Sequence, residues 1–405
     1  MYSNCSIKQG IVSILILLLS LNLTAQKEIT TFIFGHSLIN HEFQINPTPS
    51  QETSLPHWLH FLSLESNHTF KVSGQYGFLP QHANLPPNAQ WGFDFAEGAW
   101  DSDNVPFADA DFNSILITPG NFVQWQPPST NYPMETISPT SATETVFNWC
   151  NDQEAGLDFY IYENWPDMRP YLANGFPPTE DEWSTYNDYL NSDFRDWFLD
   201  YHNELNNRIP NSCIKLIPAG TLISKLLSLS PYSEIPIQEL YEDDAPHGRT
   251  TVYFLASLIT YMAIYEERAP KDYQVDPLVH PTIAQNYNAV IDLFWDDLLS
   301  DKMDNGDFRV FCNKPISTVL NDPKTDIELV TIQPNPTTSE LTIVNNDTAH
   351  FLEVLDFNGS SLIKQKTMNR SMFTIDTNEL DNGMYLILGK DEMGKTLYAK
   401  KFIKI

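Results

Sequence analysis

Four short apolar runs punctuate the first two-thirds of the chain: Ile29–Phe34 (ITTFIF), Ser114–Thr118 (SILIT), Phe159–Tyr162 (FYIY) and Cys213–Ile217 (CIKLI). Each is continuous rather than alternating, and glycine or proline bounds most of them, the pattern of strands buried on both faces of a parallel sheet. Between and after them lie helical stretches. The clearest starts at Thr179, whose hydroxyl and Glu182 predict a capping box, and runs to about Asn207. Others are predicted over Thr250–Glu267, stopped by Pro270, and over Ile283–Leu299. Strands alternating with helices imply a three-layer α/β/α sandwich around a parallel sheet. Chemistry in such sheets gathers at the carboxyl ends of the strands.

From about Ile327 the texture changes to short strands at close spacing: Glu340–Val344, Phe351–Phe357, Ser361–Lys366, Met372–Ile375, Gly383–Leu388 and Lys395–Ile403. Asn358-Gly359, Asp381-Asn382-Gly383 and Met393-Gly394 mark turns between them. The expected structure is a small all-β sandwich. It holds no Trp, no Cys and no pair of groups suited to catalysis.

Composition sharpens this division. The 405 residues carry a net charge of −29. From Pro323 onward stand 9 of the 23 basic and 11 of the 52 acidic residues, so residues 1–322 carry −27 of that total, together with all nine tryptophans. Such an acidic body repels nucleic acid and anionic membrane surfaces. At the other end, Lys8 is the lone charge of residues 1–25, followed by the apolar run Ile11–Leu23 and then Thr24-Ala25. That order is the layout of a secretory signal cleaved near Ala25, and the run is too short and too interrupted for a stable membrane span. The three cysteines beyond it, Cys150, Cys213 and Cys312, allow one internal disulfide whose pairing is open.

Two places suggest chemistry. Gly35-His36-Ser37-Leu38 leaves the first strand, so Ser37 is a candidate nucleophile, although Ile39 breaks the G-x-S-x-G pattern of the α/β-hydrolase elbow. Asp244-Ala-Pro-His247 precedes a long apolar helix, and a carboxylate three residues before a histidine can orient its imidazole. Together these elements resemble the SGNH (GDSL-type) hydrolase family over roughly Ile29–Leu299. The resemblance implies a flavodoxin-like sandwich and a carboxylic ester hydrolase with Ser37 as nucleophile, His247 as base and Asp244 as its partner. It also implies an oxyanion hole from the Ser37 N–H, a glycine after the second strand (Gly74, with Gly77 as the alternative) and Asn121 in Pro119-Gly120-Asn121. No cofactor is implied. His57 and His60 have helical spacing but sit in an apolar stripe, and no set of residues has the spacing of a closed metal site.

The sequence departs from that family at His36 and Phe122, where acidic residues are usual, and Pro47 and Pro49 interrupt the helix expected after Ser37. Aromatic residues crowd the predicted loops, and His36, Trp125, Glu163 and Trp165 are candidate substrate contacts. Trp91 and Trp100 lie in a Pro-rich stretch, Leu79–Asp111, between the second and third family blocks.

The tail adds a second resemblance. Ile332-Gln333-Pro334-Asn335-Pro336-Thr337, Gly383-Met384-Tyr385 and Lys400-Lys401-Phe402-Ile403-Lys404 resemble the C-terminal sorting domain of type IX secretion substrates. It implies the type IX machinery of a Bacteroidota-type bacterium as a partner and a secreted or cell-surface location. The expected organisation is a signal peptide over 1–25, a hydrolase domain over 26–322, a linker over 323–328 and a sorting domain over 329–405. The expected activity is removal of acyl groups, acetyl foremost, from extracellular oligo- or polysaccharide. The alternatives are a lipase or general carboxylesterase, and an inactive surface glycan-binding protein on the same fold.

Overall fold

A computed structural model describes residues 26–41, 53–93, 95–209, 212–312, 330–344, 349–355, 361–367, 372–390 and 396–404. The expected signal peptide over 1–25, the expected linker over 323–328 and the interruption expected at Pro47 and Pro49 lie outside these residues. The chain divides into two compact units, Met1–Lys314 and Pro315–Ile405.

In the first unit the apolar runs form a parallel six-stranded sheet. Its strands are β1 (Glu28–Gly35), β2 (Thr69–Tyr76), β3 (Glu97–Gly98), β4 (Ser114–Ile117), β5 (Asp158–Tyr162) and β6 (Ile214–Ile217), in the order β3-β2-β1-β4-β5-β6. All five pairings are parallel. Because successive side chains point to opposite faces, continuous apolar strands demand cover on both. Phe32, Phe34, Ile115, Ile117, Phe159, Ile161, Ile214 and Leu216 form one cluster with Val146 of helix α1 (Pro139–Gln153), and with Phe198, Tyr201 and Leu205 of α3 (Arg195–Arg208). The intervening Ile33, Leu116, Tyr160 and Tyr162 are equally buried. Helix α2 (Glu180–Tyr189) begins at Thr179 with the expected capping box, and a single π-helical turn over Leu190–Phe194 joins it to α3.

Two further helices follow the last strand. Helix α4 (Ala219–Leu227) follows β6, and α5 (Thr250–Tyr265) is apolar all round, with all sixteen residues buried. At roughly 1.5–3 kcal/mol per large apolar side chain removed from water, this is a major source of stability. Helix α5 ends where Glu266 takes a left-handed conformation (φ 52°). It packs on the helix Leu55–Glu65, where Trp58 meets Phe254 edge-on at 5.3 Å, and Tyr265 O–H donates to the Thr69 carbonyl of β2 at 2.9 Å. Cys213 and Cys312 form the disulfide, leaving Cys150 buried in the core.

The second unit has a four-stranded antiparallel sheet, ordered by residue as Ser361–Lys366, Phe351–Leu355, Gly383–Lys390 and Thr396–Lys404, and a three-stranded one of Met372–Asp376, Glu340–Val344 and Thr331–Gln333. Leu341, Ile343, Leu352, Val354, Ile375, Ile387 and Phe402 form its core. The added strand at Thr331–Gln333 was too short to stand out in the hydrophobic pattern.

Close packing at the carboxyl end of the sheet is tightest at Gly220 in the first turn of α4. A Cβ there would lie 2.1 Å from the Asn164 carbonyl oxygen, while the Gly220 N–H donates to the Glu163 carbonyl at 3.0 Å. Gly220→Ala is expected to cost about 1–3 kcal/mol through overpacking and to lower the melting temperature by several degrees. Gly98→Ala, which meets nothing within 4 Å, serves as the control in the same thermal unfolding measurement.

Candidate active site

Strand order places the site. From β1 the chain goes to β2 and β3 on one side, then returns to β4 on the other, so β1 and β4 flank the topological switch point where parallel sheets open a crevice. Ser37 follows β1 and Asn121 follows β4. The turn after β1 is closed by the Ile39 N–H on the His36 carbonyl at 2.8 Å, and Tyr253 O–H of α5 donates to the Ser37 carbonyl at 2.6 Å.

Helix α5 carries the second part of the site at its entrance. Tyr241 and Gly248 form an antiparallel bridge that closes the loop between them, reinforced by the Glu242 N–H on the His247 carbonyl at 2.9 Å. Inside this loop, Asp243 Oδ1 accepts the N–H groups of Ala245 (3.0 Å) and His247 (3.1 Å), while Oδ2 lies 2.7 Å from His247 Nδ1. His247 Nε2 lies 2.9 Å from Ser37 Oγ. A carboxylate, an imidazole and a hydroxyl thus form one hydrogen-bonded chain. With Nδ1 donating to Asp243, Nε2 is left as the acceptor facing Ser37.

This arrangement corrects the expected partner of His247. Asp243 holds the imidazole, and Asp244 does not: its side chain turns outward, with Oδ1 4.0 Å from Arg169 Nε, and its backbone carbonyl accepts the Met168 N–H. The three-residue spacing was the wrong criterion because the bridged loop turns the fourth residue back onto the ring. Burial alone would raise the Asp243 pKa, but the hydrogen bonds and charge of His247 and the Ala245 N–H outweigh it and hold the carboxyl below its ordinary value.

Gly74 is also displaced from its expected place. It lies inside β2 opposite Ile33, two residues short of the strand end. A Cβ at Gly74 would stand 2.9 Å from both the Ile33 carbonyl oxygen and the Trp91 ring. Its carbonyl accepts the N–H groups of Gln90 and Trp91, so this glycine serves packing. Gly77 lies just past the end of β2, with its N–H donated to the Gly35 carbonyl at 2.9 Å.

Three candidate substrate contacts are buried instead. His36 Nδ1 accepts the Leu38 N–H, which places the ring hydrogen on Nε2, 3.1 Å from the Pro119 carbonyl. The residue therefore ties the β1 turn to the β4 turn. Burial lowers its pKa to about 4, only partly offset by the Pro119 bond, and the ring stays neutral. Glu163 is fully buried, paired with Arg195, and accepts the Thr221 N–H at 2.9 Å at the start of α4. Trp165 is fully buried and donates its indole N–H to the Pro246 carbonyl at 2.8 Å, supporting the loop of His247 from below. A strand-end position made these residues look accessible, but their polar atoms bond to neighbouring backbone and side chains.

Trp125 is different: it is 72% exposed. With Asn121, Phe122, Tyr171 and Tyr189 it lines a cavity of about 810 Å³, where Asp167, Asp193, Asp196 and Asp200 supply carboxylates. Among the described residues no group of three or more His, Cys, Asp or Glu is arranged to hold a metal ion, and no helix is long and apolar enough to cross a membrane.

Residues 331–405 match the family model described as "Secretion system C-terminal sorting domain". A tail of this kind directs the chain through type IX secretion to the cell surface or beyond. None of the curated proteins matches the chain. Solved structures similar to parts of it include PorZ, a surface component of the type IX secretion system of Porphyromonas gingivalis, at 19% identity and TM-score 0.17, covering 19% of this chain and 11% of that one. A putative GDSL-like lipase from Parabacteroides merdae aligns at 12% identity and TM-score 0.34, covering 59% of this chain and 96% of that one. A carbohydrate esterase family 2 enzyme from Corynascus thermopiles (Myceliophthora fergusii), with its carbohydrate-binding domain, aligns at 12% identity and TM-score 0.32, covering 59% and 66%. Likenesses this distant carry no argument about activity.

The depressed Asp243 pKa has a defined pH consequence. Its stabilising contribution is fully present above the ordinary carboxylate range and is lost as pH falls through the lower, folded-state value. The melting temperature of Asp243→Asn should therefore lie below that of the unmodified protein at pH 5–6, and the gap should close as pH approaches 2. Asp244→Asn, which removes no bond to His247, should leave the melting temperature nearly unchanged across the same series.

Proposed function

We propose that the body is a serine esterase of the SGNH type that removes small acyl groups, acetyl foremost, from extracellular carbohydrate. The observation that carries this reading is the Asp243–His247–Ser37 chain, at 2.7 and 2.9 Å, at the switch point of a parallel sheet. In the proposed reaction Ser37 Oγ bonds to the ester carbonyl carbon while its proton passes to His247 Nε2 and the carbonyl electron pair moves onto oxygen. Collapse breaks the bond to the sugar oxygen, which takes the proton from Nε2 and leaves as an alcohol. Water then repeats the sequence on the acyl-enzyme, releasing the carboxylic acid and restoring Ser37. Asp243 fixes the tautomer and stabilises the imidazolium formed in each half.

For the oxyanion we assign the Ser37 N–H and the Asn121 side chain. A donor of this kind contributes a factor of roughly 10²–10³ in rate. The carbohydrate assignment draws on export by the sorting tail and on the cavity beside Asn121, where Trp125 offers an open ring face and the aspartates offer hydrogen-bond acceptors. Rings bordered by acceptors suit a neutral or basic sugar, whereas the carboxylates oppose an anionic one.

With p-nitrophenyl acetate, Ser37→Ala should abolish turnover and retain the native melting temperature, and Asp243→Asn should lose roughly 10³–10⁴-fold in kcat while Asp244→Asn loses less than tenfold. Full activity in Ser37→Ala would sink the nucleophile assignment. Activity rising steadily from C2 to C8 esters would favour a lipase, and an inert protein that binds glycans would favour the adhesion reading.

The cavity is tested separately. Trp125→Ala should raise KM for an acetylated oligosaccharide at least fivefold and leave the kinetics with p-nitrophenyl acetate unchanged. Equal effects on the two substrates, or none on either, would remove the cavity from the substrate path.

A further inference from the structure

We propose that His41 is a positioning residue for His247: a neutral imidazole stacked flat on the base, holding its ring in the line between Asp243 and Ser37. The inference rests on the serine-esterase reading, but the geometry behind it is independent. The two rings lie with centroids 3.8 Å apart and planes within 8° of parallel. Two hydrogen bonds fix the edge of the His247 ring, Nδ1 to Asp243 and Nε2 to Ser37. Both act in the ring plane, so neither resists a tilt about the line joining them. A second flat ring against the face supplies that missing restraint.

His41 is itself held by backbone. Asn40 and Ser54 form an antiparallel bridge, the Leu55 N–H donates to the Ile39 carbonyl at 2.8 Å, and the His41 N–H donates to the Thr53 carbonyl at 3.3 Å. The stacking ring is thereby anchored to the start of the helix Leu55–Glu65 rather than to the loop of His247. Its Nδ1 lies 3.3 Å from Glu242 Oε2.

Charge settles which ring takes the proton. Two imidazolium ions face to face at 3.8 Å would repel strongly, so His41 must stay neutral whenever His247 carries the proton from Ser37. Burial, followed by the proximity of His247, lowers the His41 pKa to about 4, against a smaller opposing effect of Asp243. The other groups around His247 are Glu242, Asp243, Asp244 and Arg249 on its own loop, His36 and Ser37 on the β1 turn, Tyr253 on α5, and Arg169. Among these described neighbours, His41 is the ring stacked parallel on the base.

The test uses the full chain with His41→Phe, which keeps a flat face that takes no proton, and His41→Ala, which removes the face. The first readout is proton NMR of the His247 ring hydrogens, which a stacked ring shields. His41→Ala should move them downfield and His41→Phe should keep them shielded; resonances unmoved by His41→Ala overturn the proposal whether or not the protein hydrolyses esters. The second readout is kinetic. With p-nitrophenyl acetate, His41→Ala should lower kcat at least tenfold with KM within threefold, and the rate of Ser37 labelling by a fluorophosphonate should fall in parallel. His41→Phe should restore kcat to within threefold of the unmodified protein. A change confined to KM would make His41 a substrate contact, and a His41→Phe variant as slow as His41→Ala would remove the flat face as the cause; either overturns the proposal. Failure of the esterase reading shows differently, as an unmodified protein that neither turns over esters nor is labelled at Ser37 while the shielded resonances persist.

Discussion

One hydrogen bond joins two halves of the site that are more than two hundred residues apart in sequence. Tyr253, in the first turn of the buried helix α5, donates to the carbonyl of Ser37 at 2.6 Å. That helix is apolar on every side and so has nowhere to lie except inside the body. Once it is buried against the helix Leu55–Glu65 and the sheet, its entrance is fixed over the end of β1, and the bridged loop that ends at Gly248 is delivered to Ser37. The triad geometry is therefore a consequence of core packing. Little of it is left to the short loop that bears the ionisable residues.

Buried charge supplies the rigidity around this arrangement. Glu163, with no exposure, meets Arg195, which also pairs with Asp301 at 2.6 Å; Asp301 in turn meets Arg309 at 3.2 Å, and Arg309 reaches His202 at 3.1 Å. An unpaired charge at these positions would cost several kcal/mol, so the chain of partners ties the end of β5, helix α3 and the segment around Asp301 into one arrangement. The Cys213–Cys312 disulfide closes the same region covalently. Lys215 within β6 repeats the pattern with Asp158 at 2.8 Å and Glu266 at 3.4 Å. Glu163 is thereby held as a member of this network.

What could be read from the sequence follows the range of the forces involved. Buried parallel strands leave continuous apolar runs, and the Thr179 capping box is a local pattern, so both were legible. Strand β2 was not legible as a whole because Lys71, Ser73, Gly74 and Gln75 break its apolar pattern; the glycine sought at its end was accordingly placed too early. Ser37 and His247 stood out because each lies at a punctuated junction between elements. The choice between Asp243 and Asp244 depends on the Tyr241–Gly248 bridge, a pairing that adjacent acidic residues give no local sign of. His41 has no motif at all. It is recognisable only once the fold stacks it on a ring 206 positions away in the chain.

The acidity of the body acts against the chemistry unless burial overrides it. A body carrying −27 over its first 322 residues creates a field that favours protonated histidines. Yet His36, His41, His57, His82 and His202 are each held at a pKa of about 4, with burial the largest cause in every case. Desolvation is local and large, whereas the pull of distant surface carboxylates is spread through water and screened by salt. The excess negative charge can therefore serve solubility outside the cell without filling the site with imidazolium ions. His36 and His41 lie near His247 as neutral rings, so burial places no second cation beside it. In an acidic exported protein, the neutrality of these two rings is as much a requirement of the site as the carboxylate that orients the third.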